Sequence, residues 1–223
     1  MIKRALSTLL MALLLGGCAI TGSHQKAYPK QYTLLHTATR QSKTPPSHHY
    51  PVALRVAKLS APIWLNKTGI YYQLLYKQRS RVSAYTQSRW VQPPPVMLGQ
   101  ALQQKLAKTH AFKAVTGPGG DVTPGLILHV ALSNFTQRFM SRHHSKGVLA
   151  ARATLVNAKT RNVLGQKTFK YEVTAPQANA LGGVHALSAA SRKFTGAVAQ
   201  WVEHTLADCS PACLGHAGNG GHG

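Results

Sequence analysis

Acidic residues are scarce in this sequence. Among its 223 residues, Asp and Glu number 4 against 26 Lys and Arg. A hydrolase built on paired carboxylates, or a Mg²⁺ or Ca²⁺ site with oxygen ligands, would need almost all of them, namely Asp121, Glu172, Glu203 and Asp208. The composition therefore argues against both kinds of site. Apolar residues still make up 44% of the chain, which is enough for a packed core.

A long hydrophobic run is also lacking. The apolar stretch near the N-terminus, residues 5–15, is too short for a stable transmembrane helix. It follows the positive residues Lys3 and Arg4 and leads into Leu15-Gly16-Gly17-Cys18. This order predicts a signal peptide over residues 1–17 that ends in a bacterial lipobox, with cleavage before the cysteine. An ordinary signal peptide with a chance cysteine is the alternative.

Cys18 is the predicted site of lipidation. A diacylglycerol on its thiol and an acyl chain such as palmitate on its new amino group would anchor the chain in a membrane. Ala19, rather than an aspartate, follows it and resembles the outer-membrane sorting pattern of Gram-negative lipoproteins. We therefore expect the protein on the periplasmic face of the outer membrane, with residues 18–30 as a tether and no cofactor besides the covalent lipid.

The mature chain remains strongly basic after processing. Removal of residues 1–17 leaves 24 basic and 4 acidic residues, a net charge of +20. Such a charge favours anionic surroundings such as phospholipid headgroups or lipopolysaccharide. Nucleic acid is not an expected partner, because the chain carries an export signal and lacks zinc-finger, RNP-like and helix-turn-helix motifs.

Cysteine is rare as well, with three residues in the whole chain. Cys209 and Cys213 flank Pro211, and this spacing in the oxidising periplasm predicts a small disulfide ring. Free thiols are one alternative. The other is a zinc or copper site completed by His216 and His222, which the cost of ordering the Gly-rich tail opposes. We expect no metal, and a flexible tail over residues 208–223.

Periodic patterns predict one α+β domain over residues 31–207, with a mostly antiparallel sheet and two amphipathic helices packed on it. Helical spacing of apolar residues places one helix at 96–108 and a second around 187–205. The segments with strand patterns, of which the third and fourth form a predicted hairpin, are 32–36, 52–57, 70–76, 82–90, 126–140, 146–157 and 163–173.

Motifs that carry catalysis are missing. The stretch Gly117-Pro118-Gly119-Gly120 lacks the spacing of a phosphate-binding loop, and no G-x-S-x-G nucleophile motif occurs. The pairs His48-His49 and His143-His144 fall in predicted loops, where solvated side chains are expected. The sequence therefore predicts a protein that is not an enzyme.

Three neighbouring segments carry a family resemblance. They are Leu54-Arg55-Val56 leading into Ala61-Pro62-Ile63-Trp64-Leu65, then Gly69-Ile70-Tyr71-Tyr72, then Ser88-Arg89-Trp90-Val91-Gln92-Pro93 leading into the first helix. With the C-terminal helix that contains Trp201, they resemble the ABC-type transport auxiliary lipoproteins, the family that includes the PqiC lipoproteins. The resemblance covers most of residues 30–206.

This resemblance implies an ABC-transport auxiliary domain without catalytic activity. The implied partners are an MCE-type periplasmic protein and ABC transporter subunits, which together move lipids or other hydrophobic molecules between the two membranes. Outer-membrane lipid is a further implied contact, and a homo-oligomer is left open. The residues of the family motifs, which either dock on a partner or pack in the core, are Pro62, Trp64, Leu65, Tyr71, Trp90, Pro93 and Trp201.

The sequence departs from the family pattern at two places. Asn66 stands where an acidic residue commonly follows the P-x-x-L element, and Val91-Gln92 replace a common Ala-Glu after the tryptophan. Partner contacts through carboxylates are therefore not predicted there. The alternative function is a structural envelope lipoprotein that binds lipopolysaccharide or the cell wall through its basic surface.

Overall fold

Eight strands and two helices follow one another in the computed structural model, which describes residues 28–34 and 48–209. Within these residues the order is β1 (Lys30–Tyr32), β2 (Tyr50–Val56), β3 (Gly69–Leu74), β4 (Val82–Trp90), α1 (Pro94–Ala107), β5 (Phe112–Thr116), β6 (Leu126–Phe139), β7 (Ser145–Asn157), β8 (Val163–Thr174) and α2 (Ala180–Ala207).

Strand β6 organises the sheet because it has neighbours along both edges. One edge pairs antiparallel with β7, which in turn pairs antiparallel with β8. The other edge pairs in parallel with β2 near its start and with β3 near its end. Between these two strands, the Ser60 amide donates to the Val130 carbonyl at 3.0 Å. The chain from β2 to β3 therefore runs beside β6 from one end to the other.

The two helices bury apolar stripes against the core. In α1, three prolines occupy the N-cap and the first turn, where a missing amide hydrogen costs nothing, and the fully buried Leu98, Leu102 and Leu106 follow at a spacing of four. In α2, the Asn179 side chain accepts a hydrogen bond from the Gly182 amide and caps the first turn. Helix α2 packs on β6, β7 and β8.

A buried polar network joins four of these elements around Gln137, which is fully buried in β6. Its amide nitrogen donates to Ser145 Oγ at 2.8 Å and to the Asn179 carbonyl at 3.1 Å, while its oxygen accepts from the Tyr85 hydroxyl at 2.9 Å. Burial, helped by the neighbouring Tyr72, raises the pKa of Tyr85, so the phenol stays protonated and donates. A satisfied network of this kind favours the observed arrangement of β4, β6, β7 and α2.

Substitution of Gly183 by alanine should expose how tightly α2 sits on this network. A Cβ at Gly183 would overlap Gln137 Oε1, and Gln137 cannot turn away without losing its hydrogen bonds. We expect a loss of about 1–3 kcal/mol in the free energy of unfolding, measured by urea denaturation. Gly196→Ala on the same helix is the matched control, because apart from its chain neighbours and the backbone of its own helix no described atom lies within 4 Å of an added Cβ. It should stabilise the protein by about 0.5–1 kcal/mol. Equal effects of the two substitutions would contradict the prediction.

The predicted α+β class is confirmed, with one mixed sheet and two helices. The predicted hairpin is present as β3 and β4, and the three long C-terminal strands pair antiparallel as a meander. The parallel pairs come from the short strands, including β1, which is three residues long and begins earlier than the predicted 32–36. Within the described part of the chain, no helix is both long and apolar enough to cross a membrane.

Candidate functional site

A short 3₁₀ turn, Ile63–Asn66, connects β2 to β3 and carries the P-I-W-L motif. Its amide at Leu65 donates to the Pro62 carbonyl at 2.9 Å, and the Leu65 side chain is completely buried. The Asn66 amide donates to the Ala61 carbonyl at 3.3 Å, a bond that a carboxylate could not donate. Asn66, which departs from the family pattern, thus closes the turn with its side chain. The turn is held by the buried Leu65 side chain and by two hydrogen bonds.

Trp64 and Tyr71 are brought together beside this turn. Their rings meet edge to face, with centroids 5.0 Å apart at an angle of 87°. Both side chains are half-buried and pack against the edge of the core. Burial raises the pKa of Tyr71, so its hydroxyl remains neutral at physiological pH. The pair supports the turn from one side and leaves its tip free.

Ile63 forms that tip, and its side chain is 81% exposed. A large aliphatic side chain exposed to this extent buries little apolar surface and so contributes little to the stability of the fold. The turn contacts α1, whose first turn exposes 40% of Val96. Val91, just before the helix, is 46% exposed. Apolar side chains therefore face solvent on two adjacent elements.

An apolar groove of about 280 Å³ separates residues 56–59 from α1. We call it the α1 groove. Pro95, Val96 and Gly99 line it from the helix, while Asn66 of the 3₁₀ turn lines its other side. Lys58 is the one charged residue among the lining residues, which also include Val56, Ala57, Leu59, Gln100, Gln103 and Pro118. We define the docking surface as Pro62, Ile63, Val96 and the α1 groove.

The seven residues of the family motifs divide between this surface and the core. Leu65 and Trp90 are buried, and the Trp90 ring lies 5.8 Å from that of Phe135, so neither can contact a partner. Trp64 and Tyr71 are half-buried, Pro93 caps α1, and Pro62 is exposed. Trp201 lies elsewhere, on α2, with its ring 6.0 Å from that of Phe169 in β8. The structure supports the packing interpretation for three of the seven, Leu65, Trp90 and Trp201.

Sequence reasoning did not single out Ile63 as an exposed residue of the docking surface. The motif was recognised, but in P-I-W-L three large apolar residues stand side by side, and local pattern does not say which one faces solvent. The α1 groove was missed as well, because its two walls come from segments about 40 positions apart. No local signal in the sequence identifies either feature.

The cysteine and histidine predictions fall mostly outside the described residues. Cys18, Cys213, His216 and His222 lie there, so lipidation, the Cys209–Cys213 disulfide and the tail metal site stay predictions. Among residues 28–34 and 48–209, no group of three His, Cys, Asp or Glu side chains is placed to hold a metal ion. His143 and His144 lie in the turn between β6 and β7, as predicted.

Comparison with known proteins identifies the family. The model of the ABC-type transport auxiliary lipoprotein component matches residues 32–199. The chain belongs to this family. The matched range contains β2 to β8, α1, the docking surface and most of α2. This auxiliary lipoprotein is therefore a member of a family of transport components, and that description names no catalytic activity.

Solved structures share the fold of this auxiliary lipoprotein. Protein XCC0632 from Xanthomonas campestris is 17% identical, with a TM-score of 0.69, and the match covers 80% of this chain and 97% of that one. A crystal structure of an uncharacterized protein is 15% identical, with a TM-score of 0.60, over 78% of this chain and 99% of that one. No curated protein matches the sequence significantly. At these identities, the likeness is one of fold.

Proposed function

We propose that this auxiliary lipoprotein docks on an MCE-type periplasmic protein of an ABC transport system that moves lipids or other hydrophobic molecules between the two membranes. It is held at the periplasmic face of the outer membrane by the lipid on Cys18 and has no turnover of its own. Support comes from the family, from the lipobox and from the docking surface. A tethered domain near a partner that crosses the periplasm benefits from a high effective concentration, so weak docking suffices.

The exposure of the Ile63 side chain is the observation that carries this proposal. It is 81% exposed on a turn that a buried leucine and two hydrogen bonds hold in place. An apolar anchor that is ordered before binding loses little conformational entropy when it enters a pocket of the partner. The neighbouring α1 groove offers the partner a place for an apolar side chain in return. Small clusters of this kind contribute most of the binding energy in protein interfaces.

The net positive charge of the folded domain predicts that the partner's contact surface is acidic. Of the four acidic residues, Glu172 is already paired with Lys170 at 2.9 Å and with Lys146 at 3.6 Å. The hydrogen bond and charge of Lys170 lower the pKa of Glu172, with desolvation partly opposing them, so it stays ionised. Asp208 contacts His204 at 2.8 Å. Most Lys and Arg are therefore without a carboxylate, and an acidic partner surface would be attracted to them, with an encounter rate that falls as salt is added.

The substitution Ile63→Asp tests docking. A carboxylate at the tip of the turn would have to be desolvated against apolar groups, so we expect the dissociation constant for the cognate MCE-type protein to rise at least about tenfold. Binding of the full-length mature lipoprotein in detergent would be measured by biolayer interferometry at several ionic strengths. Val163→Asp is the matched control, because Val163 is 60% exposed and lies at the start of β8.

The outcomes separate the alternatives. Loss of binding with Ile63→Asp but not with Val163→Asp, at equal melting temperatures, supports the docking surface. If Ile63→Asp instead dissociates a homo-oligomer in analytical ultracentrifugation, the surface joins copies of this chain. Absence of binding by the unmodified protein even at low salt would count against the auxiliary role at this partner. It would favour the envelope lipoprotein that holds lipopolysaccharide or cell wall through its charge.

A further inference from the structure

A second and larger groove lies on the face of the sheet away from the helices. Leu54 and Val56 of β2 point into the core, so Ala53 and Arg55 point to the opposite face. In register with them are Ala114 of β5 and Ile127 of β6. Ala53, Ala114 and Ile127 form the floor of a groove of about 800 Å³. This volume is in the range of pockets that hold small molecules.

The walls of this outer groove are held by hydrogen bonds within the chain. Arg55 Nη2 crosses to the loop before β6 and donates to the carbonyls of Gly120 at 2.9 Å and Val122 at 2.8 Å. The Gly125 amide donates to the Ala53 carbonyl at 3.0 Å, and its carbonyl accepts from Ala158 at 2.9 Å. Loop 120–125 and the turn after β7 are therefore tied to the sheet, and the outer groove is formed before any ligand arrives.

The lining combines an apolar floor with positive charge at the rim. Lys113, Lys159 and Arg161 line the outer groove, and no Asp or Glu does. Asp121 belongs to loop 120–125, which forms one wall of the groove, but it is not among the lining residues. Most of the remaining lining is apolar and includes Pro51, Val52, Val122, Pro124 and Ala158. A molecule that matches both parts has an apolar chain and an anionic head.

The backbone conformation of Arg161 is a second observation at the outer groove. It lies in the turn between β7 and β8 with φ of 64°, a left-handed conformation that glycine and asparagine adopt more easily than arginine. Its amide donates to the Asn157 carbonyl at 3.0 Å, so the turn holds the backbone there. Arg161 therefore keeps a disfavoured backbone conformation while it lines the outer groove, which makes it the first residue to test as a ligand contact.

We propose that the outer groove binds one anionic phospholipid, with an acyl chain on the floor and the phosphate at Lys113, Lys159 and Arg161. Guanidinium groups hold phosphate oxygens by paired hydrogen bonds, and lysines add charge. The inference deepens the proposed function, on which it rests, by naming the class of molecule handled. The outer groove is lined by other residues than the docking surface, so each can be changed separately.

Photocrosslinking in living cells tests the proposal with the full-length lipoprotein. A benzophenone amino acid at Val122, which is 46% exposed and lines the outer groove, should capture a phospholipid in cells labelled with [³²P]phosphate. The control position is Val82, which is 42% exposed at the start of β4 and does not line this groove. Mass spectrometry of the released adduct should show anionic headgroups enriched over their share of the membrane.

Arg161→Asn separates a ligand contact from a structural role. Asparagine tolerates the left-handed conformation, so the melting temperature should stay equal or rise, while the labelled adduct at Val122 should fall at least fivefold. Ile63→Asp should leave the adduct unchanged, which distinguishes a failure here from a failure of partner docking. An adduct of protein size, equal labelling at Val82, or full labelling in Arg161→Asn would each overturn the proposal.

Discussion

Replacement of Trp90 by alanine is expected to lower the free energy of unfolding by about 3–5 kcal/mol. The side chain is 1% exposed, packs on Phe135 and belongs to the core beneath α1. Its removal would leave a cavity at the junction of β4 and the helix, because Pro93 and the following turn fix the chain there. Urea denaturation followed by circular dichroism would measure the loss.

Two further variants show whether packing is the cause. Trp64→Ala removes the same side chain from a half-buried position, so it should cost clearly less. Trp90→Phe should also cost less than Trp90→Ala, since no acceptor for Trp90 Nε1 is found within the described chain and no hydrogen bond is lost. If Trp90→Ala left stability unchanged but abolished partner binding, the core assignment would be wrong.

Cys18→Ala is expected to abolish membrane anchoring. Acyl chains contribute about 0.8 kcal/mol for each buried CH₂, so a lipoprotein with two or three chains is held stably, whereas the unlipidated chain has no comparable anchor. We expect an unprocessed precursor or a soluble periplasmic form in cell fractionation, together with loss of labelled palmitate incorporation.

Cys209→Ala is the control for this experiment. It removes a cysteine of the predicted disulfide, far from the lipobox, and should leave processing and fractionation with the outer membrane unchanged. Normal maturation of Cys18→Ala, with continued fractionation in the outer membrane, would refute the lipobox interpretation. Fractionation of the unmodified protein with the inner membrane would leave lipidation intact and correct the sorting prediction based on Ala19.

The two tryptophans of the family motifs show the limit of local sequence patterns. Trp64 and Trp90 stand in similar local patterns, each within a family motif, and both were candidates for docking or packing. In the structure, the rings of Trp64 and Tyr71 meet edge to face and both side chains are half-buried, while Trp90 is buried beside Phe135. Phe135 is 45 positions away in the chain, so no pattern around Trp90 could reveal its burial.

The placement of the basic residues around the outer groove could not be predicted from the sequence either. Lys113, Lys159 and Arg161 are unremarkable in a sequence with 26 Lys and Arg. They line one groove because β2 pairs in parallel with both β5 and β6 while β7 runs antiparallel to β6, which brings the start of β5 and the end of β7 to the same end of the sheet. The total charge was readable from composition, but its arrangement around an apolar floor was not.

What the sequence determined by itself is local or compositional. Period-two and period-3.6 patterns predicted the long meander, the hairpin and both helices, because the alternation of buried side chains is a property of each element alone. The motifs around Pro62 and Trp90 predicted the family, and the lipobox predicted a lipid anchor. Tertiary structure alone decided the parallel pairing of β2 and β3 with β6, the exposure of Ile63 and the two grooves, because each depends on contacts between residues distant in the chain.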